Sequence, residues 1–329
     1  MYWFGIFLSL LFLYLAIRGL DLESVWGTIQ SISFFWFLPG LLCYFAGVIV
    51  RSVRWSALYK GNYTFSPFQL FPSICIGYLG NNVFPARAGE FLRAYHIKEK
   101  FSIPFTTSLA SIIVERIFDG LVMLIFILVG LPNFVSHLQD QSLTGLVQWI
   151  LMGGSIIFVL AFIIVIFSAI FPHRSKKILD FIFLKLLPAK WHEKYQSILN
   201  RFFEGLNALK SPSQVLKVLA LSILVWLFET GLYWSTQKAF GLNLPFSSFL
   251  LLNGALNILS TIPSAPGYIG VFDAPGIAIL TAMGVSSEIA AAYILTLHAA
   301  LWLPITVLGL IFFIREGLQW SQIKPQKIE

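Results

Sequence analysis

The stretch TIPSAPGYIGVFDAPGIAIL, residues 261–280, carries three prolines and three glycines inside an otherwise apolar region. Proline removes a backbone donor and glycine weakens a helix, so an apolar helix should break here. The break also holds Asp273. If the region lies in a membrane, loose backbone and a carboxylate are tolerated only where protein or a water-filled cavity surrounds them. The fold therefore turns on whether the flanking sequence is built for hydrocarbon.

It is. Of 329 residues 57% are hydrophobic and 11% are charged, against about 25% charged in a soluble domain. Apolar runs recur along the chain, each near the roughly 20 residues that a helix needs to cross a bilayer. The first, residues 2–17, lacks a basic leader and a small-residue cleavage site, so a retained helix is expected, not a signal peptide. The longest polar stretch, residues 172–213, is too short to bury a core of its own, and one membrane domain over residues 1–329 is expected. Cys43 and Cys75 both sit in apolar segments without metal-ligand spacing, which argues against a disulfide or zinc framework. The net charge of +7 marks cytoplasmic loops in a membrane protein and does not imply nucleic acid.

Full spans are expected at about residues 2–17, 33–50, 104–131, 146–171, 217–240 and 289–314. Two further apolar regions, 68–85 and 249–283, do not fit as simple crossings. Arg51, Arg54 and Lys60 precede the first, and Arg87, Arg93, Lys98 and Lys100 follow it. By the positive-inside rule both ends are cytoplasmic, so 68–85 should dip in and return. The loop at 132–145 has no Lys or Arg and is placed outside. Residues 172–213 are rich in both and are placed inside, like the tail at 315–329. Region 249–283 must then begin and end outside, as a re-entrant hairpin or as two short crossings, with the hairpin favoured by the breaks at Pro263, Pro266 and Gly267. The expected architecture is all-α and polytopic, with about six transmembrane helices and two re-entrant helical hairpins, both termini cytoplasmic. The unit 33–131 and the unit 217–314 share the order span, hairpin, span with opposite orientation. That inverted-repeat design brings broken helices together near the midplane in many transporters. A short echo, P-x-x-x-G at 85–89 and again at 263–267, accompanies it.

Ionisable residues inside such segments are costly and mark function. Glu115 and Asp119 lie four apart on one helix face, and Arg116 is three from Asp119, spacings that allow a local ion-paired cluster. Arg87, Glu90 and Arg93 recur every three residues after the first hairpin, Glu229 lies within LVWLFETGLYW, and Asp273 follows the second break. Mutual neutralisation that pins a helix interface is the plainer role for Glu115, Arg116 and Asp119, and topology alone would account for Arg93. His298 reads as a hydrogen-bonded packing residue. Residues 191–210 place Trp191, Tyr195, Ile198, Leu199, Phe202, Phe203, Leu206 and Leu209 at helical spacing. An amphipathic helix follows, lying on the bilayer surface or packed against the cytoplasmic ends of the spans.

PARAGEFLR (85–93), ERIFD (115–119) and PSAPGYIGVFDA (263–274) occur in the order found in the transmembrane domain of bacterial lysylphosphatidylglycerol synthases and its free-standing flippase-like relatives. The chain resembles that family over nearly its whole length. The resemblance implies a domain of the bacterial or archaeal cytoplasmic membrane that moves a lipid, or a lipid-linked head group, between leaflets. By motif it assigns Arg87, Gly89, Glu90 and Arg93 to R-x-G-E-x-x-R, Glu115, Arg116 and Asp119 to E-R-x-x-D, and Pro266, Gly267 and Gly270 to P-G-x-x-G. Many relatives have Glu where this chain has Asp273. The chain ends at Glu329, soon after the last span, so the aminoacyl-transferase domain of the two-part synthases, and with it lysyl transfer, is not expected.

Helix N-termini and Arg forks favour anions, phosphate especially. The expected function is translocation of an anionic phospholipid or polyprenyl phosphate. Arg87 and Arg93 would engage phosphate, and Glu115, Arg116, Asp119, Glu229 and Asp273 would set charge and gating. The alternatives are a membrane scaffold that recruits a lipid-synthesising enzyme through 172–213, or an embedded head-group transferase. No Ser/His/Asp set, metal-ligand spacing or nucleotide-binding glycine loop is visible, so neither an enzyme nor a cofactor or metal is expected.

Overall fold

The computed structural model describes residues 2–59, 63–84, 88–136, 160, 163–164, 166–186, 188, 191–206, 209, 211–262 and 264–318. Among the described residues all regular structure is helical. The helices are α1 (Tyr2–Ile17), α2 (Leu22–Ser31), α3 (Phe37–Tyr59), α4 (Pro67–Val83), α5 (Gly89–Phe101) and α6 (Phe105–Val135). They continue with α7 (Pro172–Leu186), α8 (His192–Gly205), α9 (Pro212–Ala239), α10 (Phe246–Leu259), α11 (Asp273–Ala282) and α12 (Ser287–Arg315).

Phe34–Tyr59, Pro212–Ala239 and Ser287–Arg315 are long and apolar enough to cross a membrane. α6, with 31 residues, would reach about 47 Å at 1.5 Å per residue, but carries Glu115, Arg116 and Asp119 in its middle. The chain is a multi-pass membrane protein. Leu38, Leu42, Leu128, Val129, Leu303, Val307 and Ile314 are exposed on the long helices, whereas Arg54, Glu115, Thr230, Gln237 and Asn253 are fully buried. Apolar outside and polar inside is the arrangement a lipid solvent selects, since lipid rewards no burial of apolar side chains.

Two sets of four helices repeat one order: long, short, short, long. α3, α4, α5 and α6 have 23, 17, 13 and 31 residues, and α9, α10, α11 and α12 have 28, 14, 10 and 29. The first helices of the sets, α3 and α9, pack on each other. α6 packs on α10 and α12 on α4, so the last helix of each set contacts the second helix of the other. Equivalent glycines permit those crossings: a Cβ on Gly130 of α6 would lie 2.4 Å from the Ser247 carbonyl, and one on Gly309 of α12 would lie 2.4 Å from that of Cys75.

Several boundaries differ from the sequence reading. Region 68–85 does not turn back on itself; it is the single helix α4, and a second helix, α5, follows it and packs against it as an arm of its own. The polar sequence GEFLRAYHIKEKF hides that arm from any hydropathy reading. The span expected at 33–50 continues as α3 to Tyr59, which carries Arg51 and Arg54 into the protein instead of leaving them at its edge. In the second region a break at 260–272, containing a 3₁₀ turn at Pro266–Tyr268, separates α10 from α11. The amphipathic segment forms α8, which packs on α6 and buries Leu199; Leu206 and Leu209, just past its end, are also buried, while Trp191 and Ile198 remain exposed. Arg87, Pro263, most of the span at 146–171 and the end of the tail lie outside the described residues.

Candidate functional site

A cavity of about 140 Å³ opens where α3, α4, α5, α6, α9, α10, the break and α12 converge. Its charged lining comes from both sets: Arg51 and Arg54 of α3, Glu90 and Arg93 of α5, Glu115 and Arg116 of α6, and Glu229 of α9.

These groups form a chain of alternating sign. Glu90 lies 3.7 Å from Arg116, and Arg116 lies 3.1 Å from Asp119 along the same helix face. Asp119 accepts both arms of the Arg54 fork, at 2.5 and 3.4 Å, and the indole N–H of Trp226 at 2.7 Å. Arg54 also donates to Ser222 at 2.8 Å and lies 3.5 Å from Glu115. Glu115 in turn accepts from Arg93 at 2.6 Å. Beside this chain Arg51 donates to Glu229 at 2.9 Å and stacks over the Trp226 ring at 4.2 Å, and Asn257 donates weakly to Glu229 at 3.4 Å. Four arginines thus meet four carboxylates, so each buried charge has a partner of opposite sign, which offsets part of its desolvation cost.

The pairing is uneven. Arg54 uses both terminal nitrogens, whereas Arg93 bonds Glu115 through one nitrogen and leaves Nε and Nη2 without an acceptor. The Nε of Arg54 and of Arg116 are also without a hydrogen-bond acceptor. The Arg93 guanidinium lies 3.4 Å above the Trp55 ring, whose own N–H is held by Ser111 at 2.9 Å. Arg93 is therefore fixed in orientation with most of its donor fork unfilled, at the wall of a cavity. Unsatisfied buried donors of this kind cost stability unless a ligand or water supplies acceptors.

Gly89 makes the α5 wall: a Cβ there would lie 1.8 Å from the Gly77 carbonyl, so only glycine lets α5 begin so close to α4. Its N–H donates to the Asn81 side chain at 2.9 Å. The opposite wall is the break. Gly267 and Gly270 adopt φ of +72° and +80°, and Pro266 opens the 3₁₀ turn between α10 and α11. Asp273 starts α11; its Oδ2 accepts the Gly270 N–H at 2.8 Å, and its Oδ1 lies 2.7 Å from Nδ1 of His298. The other ring nitrogen of His298 is 2.7 Å from the Gly267 carbonyl.

Gly89, Glu90, Arg93, Glu115, Arg116 and Glu229 line one cavity, and Asp119 stands one bond behind them. Asp273, Gly267 and Gly270 join it through His298. The sequence reading missed Arg51 and Arg54 as members, and Trp55 and Trp226 as the rings that hold the arginines. The three-residue spacing of Arg51 and Arg54 directly after an apolar run was the available signal.

Away from the cavity, Ser73 Oγ lies 2.8 Å from His96 Nδ1, and His96 Nε2 lies 3.5 Å from Glu316. Ser73 is fully buried, so this Ser/His/Glu array ties α4 and α5 to the end of α12 and offers no nucleophile to a substrate. Among the described residues no group of three or more His, Cys, Asp or Glu could hold a metal ion.

The family described as the lysylphosphatidylglycerol synthase TM region matches residues 2–309. A UPF0104 membrane protein of Pyrococcus horikoshii is 25% identical over 83% of this chain and 84% of its own length. A second, from Methanocaldococcus jannaschii, is 26% identical over 71% of this chain and 92% of its own. The glycosyltransferase AglD of Haloferax volcanii is 22% identical over 72% of this chain, which corresponds to 41% of that enzyme. No solved structure matches.

Proposed function

The chain belongs to the family of the lysylphosphatidylglycerol synthase transmembrane region, and from that premise we propose that it carries an anionic, phosphate-bearing lipid or lipid-linked head group between membrane leaflets. The observation that carries this reading is Arg93, a residue of the cavity wall whose Nε and Nη2 have no acceptor. A planar guanidinium fork matches phosphate and carboxylate oxygens, and desolvation strengthens the contact. A head group with several acceptor oxygens would fill those donors and the nearby Nε of Arg54. Arg87, two residues before Gly89, carries a further positive charge in the same motif.

In this reading α4 with α5, and α10 with α11, are re-entrant pairs, the first entering from the cytoplasm and the second from outside. With six full spans they make one membrane domain with both termini cytoplasmic. The reciprocal contacts of α6 on α10 and α12 on α4 support an inverted repeat, in which opening one set closes the other. The acidic members hold the arginines in place, and the proline and glycine break makes polar backbone available at depth.

The names of the family and of one relative join this kind of region to transfer enzymes, a lysylphosphatidylglycerol synthase and a glycosyltransferase. We assign this chain the movement of a lipid substrate or product, not the transfer chemistry itself. The sealed position of Ser73 supports that division.

Leaflet exchange of labelled phosphatidylglycerol, cardiolipin and a polyprenyl phosphate in proteoliposomes tests the proposal. Exchange of at least one of them should exceed that of phosphatidylcholine and fall about 10- to 100-fold in Arg93→Ala, the loss expected for charge-assisted hydrogen bonds. Equal exchange by wild type and a folded Arg93→Ala protein would contradict it.

A further inference from the structure

His298 sits in mid-α12, lines the cavity and has both ring nitrogens within 2.7 Å of an oxygen. The Gly267 carbonyl can only accept, so Nε2 carries a hydrogen. The second contact, Nδ1 to Asp273 Oδ1, also needs one hydrogen between the two atoms, because two lone pairs would otherwise face each other. Asp273 Oδ2 already accepts the Gly270 N–H. The geometry thus fixes the proton count: besides Nε2–H, one further proton is shared by His298 and Asp273.

That proton joins three pieces of backbone. His298 belongs to α12, Gly267 and Gly270 belong to the break, and Asp273 begins α11. The break is held in left-handed conformations at Gly267, Tyr268 and Gly270, so it depends on the surrounding contacts to keep its shape. The Phe272 ring covers the imidazole, with centroids 4.6 Å apart. Four residues along α12, a Cβ on Gly267 would lie 2.9 Å from Trp302 Nε1. The Trp302 carbonyl and Thr306 hydroxyl in turn hold Asn82 of α4, at 3.5 and 2.7 Å. The pair therefore lies between the second break and the end of the first short arm.

We infer that His298 and Asp273 form a proton-binding site whose occupancy sets the conformation of the break at 264–272. Loss of one of the two protons to cavity water leaves a neutral ring with a single N–H for two acceptors. The ionised Asp273 carboxylate is the stronger one, so the ring keeps Nδ1–H, Nε2 faces the Gly267 carbonyl lone pair to lone pair, and the break loses its hydrogen bond to α12. Rebinding a proton restores it. The titratable groups that line the cavity with His298 are Tyr44, Arg51 and Arg54 of α3, Tyr78 of α4, Glu90 and Arg93 of α5, Glu115 and Arg116 of α6, Glu229 and Tyr233 of α9, and Tyr268 of the break itself. Of these, Arg51 and Glu229 neutralise each other at 2.9 Å. On α1 and α2, which pack against α11 and α12, Arg18, Asp21 and Glu23 are exposed near the helix ends. His298 and Asp273 are thus the coupled pair in contact with the break. For lipid movement the inference rests on the transport reading above: a proton would be the coupling ion that switches one broken helix.

The test reads the proton and the backbone separately from transport. In purified protein in nanodiscs, nitrogen NMR of the labelled imidazole should show two protonated or proton-sharing nitrogens at low pH and one at high pH. Amide exchange at 264–272 should rise about tenfold or more across the same interval. Asp273→Asn should abolish both transitions, and His298→Gln, which retains a donor for Gly267, should flatten the pH dependence of exchange at 264–272. A ring that holds one proton at every pH from 5 to 9, with unchanged amide exchange, would overturn the inference. An intact transition without lipid exchange at any pH would leave the proton site standing and remove the transport reading. Pronounced lipid exchange with neither transition would do the reverse.

Discussion

The two walls of the cavity solve the problem of buried charge differently. On the α5 and α6 wall, side chains neutralise side chains: Glu90, Arg116, Asp119, Arg54, Glu115 and Arg93 alternate in sign. On the wall made by the break, Asp273 is held by a backbone N–H and by a histidine that also grips a backbone carbonyl. The first wall retains unfilled donors at Arg93, Arg54 and Arg116, beside one unfilled oxygen each on Glu90 and Glu115; among the described atoms the carboxylate oxygens of the second each have a partner. A wall with spare donors is suited to bind an anion, and a satisfied wall tied to left-handed backbone is suited to hold, or release, a conformation.

The largest expected effect separates structure from binding within the first wall. Arg54→Ala leaves Asp119 and Glu115 without their central partner and should cost about 3–5 kcal/mol, read as a large drop in the thermal unfolding temperature in detergent. Arg93→Ala should cost clearly less stability while removing more lipid exchange. If the two variants lose stability equally, the distinction between framework and ligand-facing arginines fails.

On the second wall, Gly270→Ala probes backbone instead of charge. The residue has φ of +80°, and a Cβ would lie 2.3 Å from the Ser9 carbonyl of α1. A loss of about 1–3 kcal/mol is expected, together with faster amide exchange at 264–272. No change in either would show that the break does not depend on this contact. Arg93→Lys sharpens the comparison from the other side. The ammonium can keep Glu115 but has no planar fork, so phosphate-lipid exchange should fall about tenfold, equivalent to ~1.4 kcal/mol, with the fold retained.

Much of this was legible beforehand, for identifiable reasons. Apolar runs near the crossing length revealed the long helices. Prolines and glycines marked the second break because three of each fall within the twenty residues 261–280, where their penalties on a helix add. The i, i+3 and i, i+4 spacing of Glu115, Arg116 and Asp119 placed them on one face, and Arg116 does meet Asp119 at 3.1 Å. Arg51 and Arg54 were misjudged because the positive-inside rule counts arginines without knowing their partners. Asp119 is 65 residues from Arg54, and Glu229 is 178 from Arg51, so only the folded chain reveals these pairs. His298 was expected to be hydrogen-bonded, but its two partners lie 25 and 31 residues away across a break that has no helical periodicity to extrapolate.

The smallest effect lies outside the cavity, where Lys100 donates to Glu316 at 2.6 Å and His96 approaches the same carboxylate. Burial would raise the Glu316 carboxyl, but the Lys100 hydrogen bond and the charges of Lys100 and His96 outweigh it and hold the group below its ordinary value. A depressed carboxyl contributes stability above its unfolded pKa and loses it as pH falls through the folded one. Lys100→Ala should therefore cost under about 1 kcal/mol near neutral pH. The difference from wild type should vanish on acidification below the depressed value. A difference that grows on acidification would contradict that sign.

The most direct measurement of the central assignment is lipid retention by native mass spectrometry, from a mixture of phosphatidylglycerol, phosphatidic acid and phosphatidylcholine. Wild type should keep the anionic phosphate lipids in preference to phosphatidylcholine, and Arg93→Ala should lose that preference while Lys100→Ala keeps it. Equal retention of all three lipids by wild type, or an undiminished preference in Arg93→Ala, would contradict the cavity as a phosphate head-group site.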